Sequence, residues 1–157
     1  MNDLILAVPS SGMHSNGYSL VRNIIHKKGI NLKKNNFLRK ELLKPTKIYV
    51  NEVLSLLKNN LVSGCANITG GGIKDNIERI MPNGLTAKIE LDKIKTKKIF
   101  NWLKKNNIDE NEMIKTFNCG VGFCLIVKPS NLKKIKKFFD KKYKPYLIGK
   151  ICKGKQK

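Results

Sequence analysis

Apolar and polar positions along this chain fall into short segments of two periods. Asp3 to Val8 is a nearly continuous apolar run that predicts a buried strand, running into a loop from Pro9 to Asn16. Leu20, Val21, Ile24 and Ile25 recur at helical spacing and predict a helix over Gly17 to Lys28, with Gly29 as its stop. Ile30 to Lys40 is polar and basic and shows no clear period. Pro45-Thr46 reads as the opening of a second helix through Asn59, with Ile48, Val53, Leu54 and Leu57 facing inward. Cys65 to Ile68 is a short strand, Thr69 to Gly72 a loop, and Ile73 to Met81 a helix stopped by Pro82. After the Asn83-Gly84 turn, Leu85, Ala87, Ile89 and Leu91 alternate with polar residues as in a half-buried strand. Helices are expected over Thr96 to Asn106 and Asp109 to Phe117, and a buried strand over Val121 to Val127. Ser130 reads as the cap of a helix reaching Lys142, with Leu132, Ile135, Phe138 and Phe139 on its apolar side; Tyr146 to Ile151 is the last strand.

From Cys65 onward the order is β-α-β, a helical pair, then β-α-β. It predicts an α+β domain: a mixed β-sheet with helices packed on it, partly ferredoxin-like in its β-α-β-β-α-β order. The length of 157 residues fits one domain, and 41% hydrophobic residues supply its core. No stretch reaches the roughly 18 apolar residues of a membrane span. The first residues lack the basic region of a secretory signal, so a cytoplasmic location and no membrane partner are expected. Cys65, Cys119, Cys124 and Cys152 form no C-x-x-C pair and read as reduced structural thiols, so no metal site is expected.

Charge complicates this picture. The formal net charge is +21, which normally suggests nucleic acid or an anionic surface. However, only Arg22, Arg39 and Arg79 are arginines against 29 lysines, and arginine supplies the planar fork for bidentate base and phosphate contacts. Together with abundant Asn and Ile, the excess reads as compositional bias, and no specific nucleic-acid partner is expected. The tail from Lys128 to Lys157 holds twelve lysines opposed only by Asp140 and is the strongest counter-argument. Its helical apolar spacing points to a solvated lysine face.

The chemistry concentrates in glycine loops. Ser10 to Gly17 lies between a strand and a helix, where unpaired backbone N–H groups can meet a phosphate. The spacing from Gly12 to Gly17 resembles a P-loop, but Tyr18 stands where that motif requires lysine, which excludes a Walker site. On the residues alone this loop is either a phosphate cradle or a tight turn with Ser15 or Asn16 as N-cap. Thr69-Gly70-Gly71-Gly72 is costly to order, and close approach of a ligand or of another backbone explains three successive glycines. Asn118 to Gly122 enters a buried strand, where glycines mark a bend or bulge more often than a site. His14, inside the first loop, has the chemistry of an acid, a base or a phosphate donor.

Four blocks then carry a resemblance: SSGMHSNGYSLVR (Ser10 to Arg22), LLKPTKIYV (Leu42 to Val50), ANITGGGIKDNIERIMP (Ala66 to Pro82) and FNCGVGFCLIVKP (Phe117 to Pro129). In order and spacing they resemble the C-terminal domain of the phosphoribosylformylglycinamidine cyclo-ligase (aminoimidazole ribonucleotide synthase) family, across nearly the whole chain. The resemblance implies an ATP-dependent enzyme of de novo purine biosynthesis. It would convert formylglycinamidine ribonucleotide and ATP to aminoimidazole ribonucleotide, ADP and phosphate, by phosphorylating the formamide oxygen before the amidine nitrogen closes the ring.

It also implies a substrate- and phosphate-binding role for Ser11, Gly12, His14, Ser15 and Asn16 and for Thr69, Gly70, Gly71 and Gly72, with His14 as a polar catalytic helper. The family carries His before its T-G-G-G, where this chain has Asn67, a side chain unable to transfer a proton near neutral pH. In the family an N-terminal domain supplies most ATP contacts, the Mg2+-binding carboxylates and the homodimer interface. Here residues 1–157 read as the C-terminal domain alone, with that half absent and a further strand expected beyond Lys157, so no activity is expected of this chain by itself. Two alternatives remain. One is a related superfamily enzyme of the formylglycinamidine ribonucleotide synthetase, selenophosphate synthetase or thiamine-monophosphate kinase type. The other is a non-enzymatic basic remnant that binds polyanions.

Overall fold

The computed structural model describes residues 2–154; Met1 and the last three residues of the lysine-rich tail lie outside it. Five strands form one sheet: β1 (Leu4–Pro9), β2 (Gly64–Asn67), β3 (Leu85–Ile89), β4 (Val121–Val127) and β5 (Tyr146–Lys153), in the order β2-β4-β1-β5-β3. Seven α-helices occur among the described residues: α1 (Tyr18–Lys27), α2 (Asn36–Leu42), α3 (Val50–Lys58), α4 (Gly72–Glu78), α5 (Lys98–Lys105), α6 (Glu110–Thr116) and α7 (Leu132–Ile135). The expected α+β class with helices on a sheet is what the chain adopts.

Alternate residues of the central strands feed two layers, as the pleat requires. Ile5, Ala7, Cys124, Ile126 and Ile148 point to one face, where Ile73 and Ile77 of α4 cover them. Leu6, Val8, Leu125 and Val127 point to the other, against Tyr49, Val53 and Leu56 of the α3 segment and Ile135 and Phe139 around α7. A third cluster at one end of the sheet is helical: Val21 and Ile24, Leu38, Ile99, Phe100 and Leu103, Met113 and Phe117. Each fully buried Leu, Ile or Phe contributes about 1.5–3 kcal/mol.

Four expectations need correction. The sheet is antiparallel at every pairing rather than mixed. The connections explain this: β4-α7-β5 is a split βαβ, but β1 lies between its two parallel strands. Only this half follows the ferredoxin-like order, because β2-α4-β3 places its strands on opposite edges, with α4 packed against both.

The second helix starts at Val50, not at Pro45-Thr46, because the preceding segment is tied down by the first glycine loop: Ser11 Oγ donates to Pro45 O at 2.7 Å, and the Lys47 N–H points at His14 Nε2 at 3.4 Å. In the resulting phase Val53 and Leu56 turn inward. Ile48, Leu54 and Leu57 are instead 72%, 49% and 46% exposed.

Neither Ser15 nor Asn16 caps α1. Both take part in a turn in which Asn16 N–H donates to Met13 O at 3.2 Å, so Gly17 is the cap residue, at φ 72°. Finally, the helix expected over Ser130 to Lys142 is broken into Leu132–Ile135 and short 3-10 turns, without a side-chain cap at its start. Lys133, Lys134, Lys136 and Lys137 place like charges one turn apart with no carboxylate between them, which weakens a regular helix.

Candidate functional site

Strand direction decides where the loops go. β1, β2 and β3 run one way and β4 and β5 the other, so Pro9, Asn67 and Ile89 end where Val121 and Tyr146 begin. All three glycine loops therefore lie at one end of the sheet. The first and second are separated by β4, roughly two strand spacings or about 10 Å, and the third lies between them.

At the join of β1 and β4, Val8 pairs with Phe123 and Pro9 with Val121, leaving Gly122 as the extra residue of a bulge. Proline has no N–H to give to a ladder, and it sits where the pairing breaks. A Cβ on Gly122 would lie 2.0 Å from Tyr49 Oη and 2.7 Å from His14 Cε1. This glycine makes room for those two side chains. Tyr49 Oη donates to Pro9 O at 2.8 Å, and burial raises the phenol's pKa well above its ordinary value.

His14 is buried beneath the first loop at φ 52°. The Ser11 N–H donates to its Nε2 at 3.0 Å, and the Ser11 hydroxyl is also 3.0 Å from that nitrogen. Accepting a backbone N–H requires an unprotonated Nε2. Burial, and then the positive charge of Lys97, lower the His14 pKa from 6.5 to about 4, so the ring is neutral at physiological pH. Gly12 is buried and its carbonyl accepts from Asn118 Nδ2 at 3.0 Å; Ser15 is exposed, and Ser11 and Asn16 are partly so. Asn118 has no exposed surface. Its Oδ1 accepts from the Gly120 N–H at 2.8 Å and from Ser10 Oγ at 3.3 Å, so one amide joins the first and third loops.

The second loop separates its glycines by role. Gly72 has φ +64°, and a Cβ there would lie 1.6 Å from Ile114 O, so this position serves the packing of α4 on α6. Gly71 caps α4 at φ 92°. Gly70 is different: it is exposed, its φ is not positive, and nothing lies within 4 Å of an added Cβ. Thr69 and Asn67 are exposed beside it. The buried Asn76 holds this loop through its Nδ2, which reaches Gly72 O at 2.7 Å and Gly70 O at 3.2 Å, while its Oδ1 accepts from Thr69 Oγ1 at 3.3 Å.

Sequence reasoning missed Asn118, Asn76 and Tyr49, although each stands inside one of the quoted blocks. Around Asn118 and Asn76 the glycines drew the reading, whereas these buried amides and the Tyr49 hydroxyl do the holding. No hydrogen bond joins the first loop directly to the second among the described residues. No group of three His, Cys, Asp or Glu side chains able to hold a metal ion occurs among them either. The cysteines are free thiols, and burial pushes Cys119 up to about 11. No helix among the described residues is long and apolar enough to cross a membrane.

Comparison with known proteins bears on this arrangement. The family described as AIR synthase related protein, C-terminal domain, matches residues 2–157. The chain belongs to this family. Among curated proteins it is 42% identical over 158 residues to a phosphoribosylformylglycinamidine cyclo-ligase, chloroplastic/mitochondrial, of Vigna unguiculata, covering 97% of this chain and 41% of that protein. It is 40% identical over 163 residues to the phosphoribosylformylglycinamidine cyclo-ligase of Ligilactobacillus salivarius, covering 98% and 47%. With the Methylobacillus flagellatus enzyme of the same name it shares 42% over 134 residues, covering 83% and 39%. The chain thus spans less than half the length of these relatives, and the family domain lies within that shared part. The three glycine loops at the end of the sheet are this AIR synthase related domain's candidate site.

Proposed function

We propose that this chain acts as the substrate-side domain of an ATP-dependent phosphoribosylformylglycinamidine cyclo-ligase. The reaction would close formylglycinamidine ribonucleotide to aminoimidazole ribonucleotide, with ATP leaving as ADP and phosphate. The observation that carries this reading is the placement of all three glycine loops at one end of one sheet, in a chain of the AIR synthase related family.

Ser11, Ser15 and Asn16 from the first loop and Thr69 and Gly70 from the second would contact the substrate. Gly12, Gly71 and Gly72 would shape the backbone beneath them. His14 would hold Ser11 in place as a neutral acceptor, turning the loop's amides and hydroxyls toward the ligand, rather than carry a proton at Nε2. As the resemblance implies, Mg2+ and most ATP contacts would fall to an N-terminal half. An exposed apolar row fits such a partner. Ile48, Val50, Leu54 and Leu57 are each about half exposed or more, and the first three line a cavity of about 390 Å³ that reaches Asn67 and Phe123. A homodimer and a cytoplasmic location would follow for the complete enzyme.

The test is reconstitution: the purified chain is assayed for aminoimidazole ribonucleotide with and without the N-terminal half of a relative. No turnover alone and ATP-dependent turnover together are expected. Turnover by the isolated chain, or none from the pair when that same N-terminal half is active with its own C-terminal domain, would overturn the proposal.

A further inference from the structure

Beside the first loop lies a second cavity, of about 510 Å³, whose walls come from four separate parts of the chain. Ser11 follows β1, Lys44 and Lys47 precede α3, Lys97 precedes α5, and Lys142 and Tyr143 precede β5. None of these lysines stands out in a sequence with 29 of them. Ser11, Lys97 and Lys142 lie on chain that leaves or enters the sheet at the glycine-loop end, and the α2–α3 connection that carries Lys44 and Lys47 is tied to the first loop through Ser11 and His14.

We propose that this cavity binds a phosphomonoester dianion. Lys44 is paired with Glu41, and Lys47 Nζ lies 2.6 Å from Glu52 Oε1. Lys97 and Lys142 have no carboxylate partner among the described residues. Four ammonium groups therefore meet two carboxylates, which leaves two positive charges for a group that carries about −1.5 to −2 at neutral pH. Lys97 is half-buried, and its burial together with the nearby Lys44 and Lys142 charges lowers its pKa. Like charges held this way are relieved by an anion, which strengthens Coulomb attraction in a partly desolvated cavity. Lys47 is fixed over the rings of Tyr49 and Tyr143, at 5.6 and 5.2 Å, so one wall is already ordered before a ligand arrives.

This assignment rests on the substrate-side reading above, in which a ribonucleotide monophosphate is bound here, yet it is tested apart from turnover. The full 157-residue chain is titrated by calorimetry at physiological ionic strength with ribose 5-phosphate, inorganic phosphate, ATP and ribose. Ribose 5-phosphate should bind and ribose should not. Inorganic phosphate binding more weakly than ribose 5-phosphate identifies a sugar phosphate as the source, and stronger binding identifies the free ion. ATP binding in preference to both would overturn the monoester assignment.

Lys97→Gln and Lys142→Gln should each weaken ribose 5-phosphate at least tenfold, whereas Lys150→Gln, at an exposed position on β5, should leave it unchanged. All three positions are on the protein surface or its edge, and thermal melting verifies that each variant is folded. Equal losses in the three variants, competition by single-stranded RNA with a steep salt dependence, or no binding in the tens of millimolar would overturn the site. Intact binding with failed reconstitution would sink the cyclo-ligase reading and leave this site standing. Reconstituted turnover with KM unmoved by the Lys97 and Lys142 variants would do the reverse.

Discussion

The first and second glycine loops lie at the same end of the sheet, about two strands apart, yet they are held by opposite means. The second is organised locally. Asn76, one turn into the following helix, binds the carbonyls of Gly70 and Gly72 and the hydroxyl of Thr69, all within seven residues. The first depends on distant chain. Asn118 reaches Gly12 across 106 residues, Tyr49 reaches Pro9 across 40, and the Lys47 amide lies against His14 across 33. A local loop can keep its shape while the domain loosens. The first loop exists only when β1, β4 and the segment before α3 are already assembled. The two walls of the candidate site should therefore fail differently.

The largest effect expected from a single change is at Gly72. Placing a Cβ 1.6 Å from Ile114 O, in a left-handed backbone, combines overpacking with conformational strain. Gly72→Ala should cost about 3–5 kcal/mol in urea unfolding; a cost below about 1 kcal/mol would show that α4 and α6 separate freely. Next comes Asn118→Ala, which leaves Gly12 O and the Gly120 N–H buried without this partner and should cost about 3 kcal/mol. Asn76→Ala, at the less enclosed loop, should cost about half as much. Equal costs would remove the distinction between a long-range and a local loop.

A smaller effect follows from pH. His14 is neutral in the fold with a pKa near 4, against 6.5 when unfolded. Above pH 6.5 both states are neutral and this group contributes nothing to the pH dependence. As pH falls from 6.5 to about 4 the unfolded chain takes up a proton that the folded chain does not, so stability is lost, and below about 4 this loss levels off. With allowance for solvent screening it is on the order of 2 kcal/mol. His14→Gln should flatten the stability–pH curve in that window, and an unchanged slope would place the titrating group elsewhere. The smallest effect is at Gly70. Its conformation accepts alanine, so Gly70→Ala should hold stability or raise it by up to about 1 kcal/mol. In the reconstituted enzyme the same change should raise KM, which marks Gly70 as the ligand-facing glycine of its triplet.

Much of the fold was legible in the sequence because period and punctuation are local properties. Val121–Val127 appears with the bounds its apolar run predicts, and the other strands begin or end within two residues of theirs. The inward face of α3 was not legible. Apolar residues occupy 53, 54, 56 and 57, and helical spacing alone permits more than one phase. The bonds from Ser11 and His14 to residues 45–47 delay the helix start, and the sheet then selects Val53 and Leu56. The site divides in the same way. Its loops were visible as glycine clusters, but the clusters did not reveal that Gly72 answers to a carbonyl on another helix.

By itself, the sequence determined the five strand segments, the glycine loops and, through four ordered blocks, the family, whereas α2, the start of α3 and the broken helix before β5 escaped it. The features it determined depend on residues near one another in the chain. Only the tertiary structure decided that β1 separates β4 from β5, that His14 is a buried acceptor, and that Lys44, Lys47, Lys97 and Lys142 line one cavity. Burial, charge proximity and hydrogen-bond partnership are properties of pairs brought together by strand order and direction. No short window along this lysine-rich chain contains Lys44, Lys97 and Lys142 together, or both Gly72 and Ile114.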